Sequence, residues 1–256
     1  MQLSEIRAIV TGGVSGLGLA VAEHLVANGG RVALFDVNDD KGAAAVDALG
    51  QDNARYIRTD VTDEDGVNAS VEAAKEFLGG IDAAVNCAGV IGAGRVLGRE
   101  GPMPLGKFSS TVMVNLVGSF NVAKAAAAVM QHNQAGEDGE RGVIINTASV
   151  AAYEGQVGQI AYAASKGGVY SMGICAARDL AQFGIRVNTI APGTIETPML
   201  KGLTEEFQKS LEAAIPFPSR LGRPSDYAQL ANAIVEQDYL NGESFRMDGA
   251  LRMAPR

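Results

Sequence analysis

The chain has no tryptophan, two histidines and two cysteines among 256 residues, and aromatic side chains make up 5% of it. Cys87 and Cys175 are too few for a disulfide framework, and neither has a C-x-x-C or histidine neighbour of the kind a zinc site needs. No metal is therefore expected, and a reducing compartment fits. Basic side chains are also scarce, with 21 against 29 acidic ones and a net charge of −8. That balance disfavours nucleic acid as a partner while leaving room for a local basic pocket. No uninterrupted run of about 18 apolar residues occurs, because the alanine-rich stretch near Ala125 is bounded by Lys124 and Gln131, so no membrane span is expected. The opening "MQLSEIRAIVTGG" enters a strand pattern almost at once, with no charged-then-apolar leader or long amphipathic presequence. These absences predict a soluble protein in a reducing compartment.

What the chain does have is glycine, 32 residues spread without a period, which implies many tight turns rather than a fibrous repeat. Short β-branched runs alternate with longer helical patterns: "RAIVTG", a helix near Leu17 to Ala27, "RVALFD", a helix near Asp39 to Leu49, then "ARYIRTD" and another helix. The rhythm continues through "DAAVNCAG", a long helix around Phe108 to Met130, "GVIINTAS", a further helix, "IRVNTIAPG" and a late "SFRMDG". About seven apolar strands with little alternation, separated by six helices, predict an α/β fold: a doubly wound parallel Rossmann sheet. With no linker or internal repeat, residues 1–256 form one domain. Three stretches break the rhythm. Those at 90–106 and 193–224 emerge at the carboxyl ends of strands and are expected to wall a substrate site; the acidic stretch at 132–142 is expected to be a solvated loop.

The segment "TGGVSGLG", Thr11 to Gly18, closes the first strand and opens the first helix. Its glycines, Gly12, Gly16 and Gly18, let backbone N–H groups and a helix N-terminus approach a pyrophosphate, with Ser15 and Leu17 as further contacts. Asp36 ends the second strand 18 residues after Gly18. A carboxylate there binds the adenosine ribose hydroxyls and repels a 2′-phosphate, and no Arg or Lys follows it, so NAD is expected over NADP. Asp60 and Val61, ending the third strand, are expected to border the cofactor and to cap the next helix. Asn86, Cys87, Ala88 and Gly89 close the fourth strand with side chains small enough for the backbone to pass an adenine or ribose. Cys87 reads as a packed residue rather than a nucleophile.

Tyr162 and Lys166 stand one helical turn apart in "AYAASKGG", and Ser149 ends the fifth strand 13 residues before Tyr162. Lowering a tyrosine from about 10 to about 7 takes roughly 4 kcal/mol of phenolate stabilisation, which Lys166 and an oxidised nicotinamide together are expected to supply. The pair therefore reads as a general base and its electrostatic activator, with Ser149 holding the substrate oxygen. Gln156 is a further candidate substrate contact. Lys201, Arg220 and Arg223 are candidate partners for phosphates.

In their order and spacing, "TGGVSGLG", "NCAG", Asn115 in "VNLVG", Ser149, "YAASK" and "PGTIET" resemble the short-chain dehydrogenase/reductase family along essentially the whole chain. The resemblance implies a tetrad of Asn115, Ser149, Tyr162 and Lys166, with Asn115 holding a proton-relay water. It further implies nicotinamide contacts at Pro192, Gly193, Ile195 and Thr197, and a homotetramer built through the long helices. "RGVIINTASVAAYEGQVGQIAYAASKGG", "IPFPSRLGRPSDYA" and "NGESFRMDGALRM" are similar to the type 2 3-hydroxyacyl-CoA dehydrogenases within that family. That likeness implies oxidation of a short or 2-methyl-branched 3-hydroxyacyl-CoA. Another secondary alcohol such as a steroid, or a non-catalytic NAD-binding module, are the alternatives.

Overall fold

A computed structural model of the protein describes residues 1–197 and 205–255. Its sheet is assembled from β1 (Arg7–Thr11), β2 (Arg31–Asp36), β3 (Ala54–Arg58), β4 (Ala83–Asn86), β7 (Gly142–Thr147), β8 (Ile185–Pro192) and β9 (Ser244–Met247). The order is β3-β2-β1-β4-β7-β8-β9 and every neighbouring pair is parallel. β1, β4, β7 and β8 are almost wholly buried, which is why their sequences are apolar runs without alternation. The predicted doubly wound sheet of about seven strands is the observed one.

Helices cover both faces. On one lie α1 (Gly16–Ala27) and α8 (Pro224–Glu236), whose Val21, Leu25, Ala231 and Val235 pack on Val10, Leu34 and Ile145. The other carries α3 (Glu64–Leu78) and α5 (Gly118–Met130), whose Val67, Val71, Val122 and Met130 close over Ile9, Phe35 and Ile144. Each of these large aliphatic side chains contributes roughly 1.5–3 kcal/mol through burial. α2 (Asp39–Leu49) carries an Asn38 cap whose Oδ1 accepts the Lys41 N–H. α6 (Ile160–Leu180) bears the tyrosine and lysine.

Several expectations needed correction. The long helix starts at Leu105, not Phe108, as α4 (Leu105–Val112), and reaches α5 through a π turn at Met113–Val117 centred on Asn115. Leu105–Met130 is long and apolar enough to cross a membrane by length and composition, although no unbroken apolar run exists. Its α5 part is instead core: Val122, Ala126 and Met130 lie against the sheet. The stretch at 90–106 holds an unforeseen hairpin, β5 (Leu97–Gly98) with β6 (Gly101–Pro102), and the 193–224 stretch holds α7 (Glu205–Ala213). The acidic loop at 132–142 is not wholly solvated: Glu140 accepts the Arg186 Nε–H at 2.6 Å and faces the N-terminal amine at 3.5 Å. Asp60 does not cap α3, because Asp63 occupies that position; Asp60 Oδ1 instead accepts from the N–H and hydroxyl of Thr62.

Candidate active site

The chain turns outward on opposite sides of the sheet after β1 and β4, and a cavity of about 660 Å³ opens between them. Its floor depends on glycine. A Cβ on Gly12, which has φ +62°, would sit 3.0 Å from the Ala88 nitrogen, while the Thr11 hydroxyl accepts the Ala88 N–H at 3.0 Å. The two turns thus lie against each other with only backbone between them. Ser15 precedes α1 without a side-chain cap, so the first N–H groups of the helix face the cavity free of an internal partner. Gly18 does not line the cavity; it lets α1 seat on the Gly12 carbonyl.

Asp36 lies at one end of the cavity, beside Val61 and Asp60. Its Oδ1 accepts the N–H groups of Val37 at 2.8 Å and Asn38 at 3.1 Å, which orients the carboxylate at the mouth. Arg58, a nearby cation that the sequence argument did not weigh, is committed to Asp39 at 2.7 Å and the Val37 carbonyl at 2.8 Å. Free helix N–H groups, a glycine floor and an oriented carboxylate at the far end fit a dinucleotide.

At the other end Ser149, Tyr162 and Lys166 converge. Ser149 begins a 3-10 turn, and its Oγ accepts the Ala151 N–H at 3.1 Å. Burial pushes the Tyr162 phenol above its ordinary value, and a hydrogen bond with Ser149 pulls it back. The Lys166 Nζ donates to the Thr147 carbonyl at 2.7 Å and lies 5.8 Å from the centre of the Tyr162 ring. Burial lowers Lys166 to about 8.

Asn115 is fully buried behind this cluster. Its Oδ1 accepts the Val90 N–H at 2.8 Å, and its Nδ2 donates to the Val90 carbonyl and the Ser165 hydroxyl, both at 2.9 Å. The side chain is therefore spent on fixing backbone and α6, the role its residue type alone suggests. Gly89 leaves it room: a Cβ there would lie 3.2 Å from Asn115 Oδ1 and 3.6 Å from Lys166 Nζ.

Cys87, Ala88 and Gly89 line the cavity, as do Pro192, Gly193, Ile195 and Thr197 from the end of β8. Asn86 does not; its Nδ2 donates to Asn146 and Ser119 in the core. Gln156 is also elsewhere, giving its Nε2–H to the Ala254 carbonyl at 2.9 Å in a second cavity beside Val96 and Val157. Arg220 is paired with Asp226 at 2.7 Å, Arg223 caps the start of α8 from the residue before it, and Lys201 lies outside the described residues. Sequence reasoning missed Thr147 and Val114 as lining residues, whereas Val90 and Ile91 belong to the 90–106 stretch expected to wall the site. Strand alternation was the available signal for Thr147, two positions before Ser149.

A family model described as short chain dehydrogenase matches residues 7–208. A Bos taurus protein named 3-hydroxyacyl-CoA dehydrogenase type-2 is 49% identical over 250 residues, spanning 97% of this chain and 95% of its own. Its Drosophila melanogaster namesake is 47% identical over 250 residues, spanning 97% and 98%. The crystal structure of 3-hydroxyacyl-CoA dehydrogenase type-2 from Mycobacterium avium matches with a TM-score of 0.95 and 46% identity, covering 100% of this chain and 99% of that one. A fold and cavity of this kind, in a chain so similar to those enzymes, mark an oxidoreductase that works with a nicotinamide cofactor, and the chain belongs to the short chain dehydrogenase family.

Proposed function

We propose that the protein oxidises the 3-hydroxyl of a short or 2-methyl-branched 3-hydroxyacyl-CoA, with NAD as the hydride acceptor. The observation that carries this reading is the convergence of Ser149, Tyr162 and Lys166 at one end of a cavity whose other end presents Asp36. The names of the Bos taurus, Drosophila melanogaster and Mycobacterium avium relatives support the thioester substrate.

The bound dinucleotide supplies the hydride-accepting carbon. The chain's own residues do the rest. Ser149 donates a hydrogen bond to the substrate oxygen, and Tyr162 takes its proton as charge builds there. Lys166 grips the ribose, while Asn115 holds α6 and the Gly89 strand end in register. Asp36 accepts from the adenosine ribose hydroxyls and repels a 2′-phosphate, which supports NAD over NADP. Exposed apolar side chains at one helical spacing, Met113, Val117 and Phe120 on the long helix and Tyr170 and Ile174 on α6, support a homotetramer docked through those faces. The free cysteines support a reducing, cytoplasmic setting.

The deciding assay follows NADH formation with 3-hydroxybutyryl-CoA, 2-methyl-3-hydroxybutyryl-CoA, a longer 3-hydroxyacyl-CoA and a steroid alcohol, each with NAD and with NADP. Turnover of the acyl-CoAs with a Michaelis constant for NADP at least about tenfold above that for NAD is the expected result. Turnover of the steroid alone discards the thioester. A lower constant for NADP discards the role of Asp36, and no turnover with any alcohol leaves a binding module. Light scattering should give four times the 26.5 kDa chain mass, and a monomer removes the tetramer.

A further inference from the structure

Tyr227 is one of the largest fully buried side chains, yet no step above uses it. It stands on α8, behind the cavity wall, and its hydroxyl meets the Thr147 hydroxyl at 2.7 Å. Thr147 Oγ1 lies 3.6 Å from Cys87 Sγ, and Cys87 Sγ lies 3.8 Å from the Tyr227 hydroxyl. One assignment satisfies all three. The tyrosine donates to the threonine, the threonine to the sulfur, and the thiol back to the tyrosine, so each group gives one hydrogen and accepts one. Burial pushes both the Cys87 thiol and the Tyr227 phenol up, which keeps the ring protonated and neutral. Two members, Cys87 and Thr147, form cavity wall. The carbonyl of the same Thr147 receives the Lys166 ammonium.

We propose that Tyr227 is a positioning residue for Lys166. By locking Thr147 from behind, it fixes the carbonyl that holds Nζ in place for the cofactor ribose. The inference rests on the reading of Lys166 as a cofactor contact, and it adds a residue 61 positions further along the chain to the cofactor site. The titratable groups facing Lys166 are Cys87 from the end of β4, Tyr162 from its own helix and, behind Thr147, Tyr227 from α8. Of these, Cys87 raises Lys166, against the lowering by burial. Loss of a fixed acceptor removes support for the charged form, so the lysine would give up its proton at lower pH.

The test is NADH binding by nicotinamide fluorescence across pH 6 to 10, in a protein with no tryptophan to compete for the signal. It needs no substrate. Wild-type affinity should weaken as pH passes about 8. In Tyr227→Phe that limb should move down by about half a pH unit or more, and affinity at pH 7 should fall about fivefold, the effect of one hydrogen bond. Thr147→Val should move the limb equally, and the double variant no further. Ala231→Gly loosens the same helix without touching Thr147 and should leave the limb in place. A folded Tyr227→Phe with an unmoved limb overturns the proposal, as does an equal shift in Ala231→Gly. If Tyr227→Phe does not fold, an unmoved limb in Thr147→Val overturns it. Wild-type protein that binds no NADH removes the functional reading and this one with it, whereas failure of acyl-CoA turnover alone leaves this one standing.

Discussion

Tyr162→Phe is expected to lower kcat by about three orders of magnitude while changing the dissociation constant for NADH by less than about threefold. Removal of a general base costs roughly 10²- to 10⁴-fold. The middle of that range is taken because Tyr162 is the group in the cavity placed to share a hydrogen bond with Ser149 and take the substrate proton. Phenylalanine keeps the ring and so the packing that Lys166 lies over at 5.8 Å. The variant should therefore fold and bind cofactor as before. Single-turnover measurement of NADH formation, paired with fluorescence titration of NADH, separates the two effects. Retention of more than about a tenth of wild-type kcat would remove Tyr162 as the base, and a parallel loss of NADH affinity would recast it as a binding residue.

That expectation can be written because the chemistry of this fold is spelled locally. The turn after β1, Asp36 at the end of β2, and the Ser149, Tyr162 and Lys166 spacing each lie within one strand-helix unit. Alternating strands and helices place all of them at one edge of a parallel sheet. Contacts between distant segments left no such trace. Cys87, Thr147 and Tyr227 meet across separations of 60 and 80 residues, and nothing in "NCAG", "NTAS" or "PSDYA" declares that they touch. Asn115 is intermediate. Its motif marks the position, but the π turn that carries it, and its commitment to Val90 and Ser165, follow from packing against α6. For Gln156, sequence proximity to Ser149 does not say which way a loop turns, and this one turns toward the C-terminal tail. Arg220 is engaged by a carboxylate six residues on, Asp226.

Gly18→Ala should be the most damaging single methyl in the cofactor site: a loss of about 3 kcal/mol in stability and of NADH affinity by a factor of 50 or more, in order of magnitude. The cause is space rather than backbone flexibility, since Gly18 needs no left-handed conformation. A Cβ at this position would lie 2.4 Å from the Gly12 carbonyl oxygen and 2.8 Å from its carbon, with the Thr11 oxygen at 3.0 Å. All three are backbone atoms of the turn that must cradle the pyrophosphate, and no side chain can swing away to relieve the contact. To admit the methyl, α1 must lift from β1. That movement separates its free N–H groups from the Gly12 floor and disturbs Val21 and Leu25 in the core beneath. Gly106→Ala supplies the opposite sign. Gly106 sits in the first turn of α4 with open space where its Cβ would go, so alanine there should raise stability by about 0.5 kcal/mol and leave NADH binding unchanged. Chemical denaturation and NADH titration of both variants decide the matter. A Gly18→Ala protein with wild-type affinity would mean that the turn is not the pyrophosphate site, because a cradle displaced by its own helix cannot still fit the same ligand.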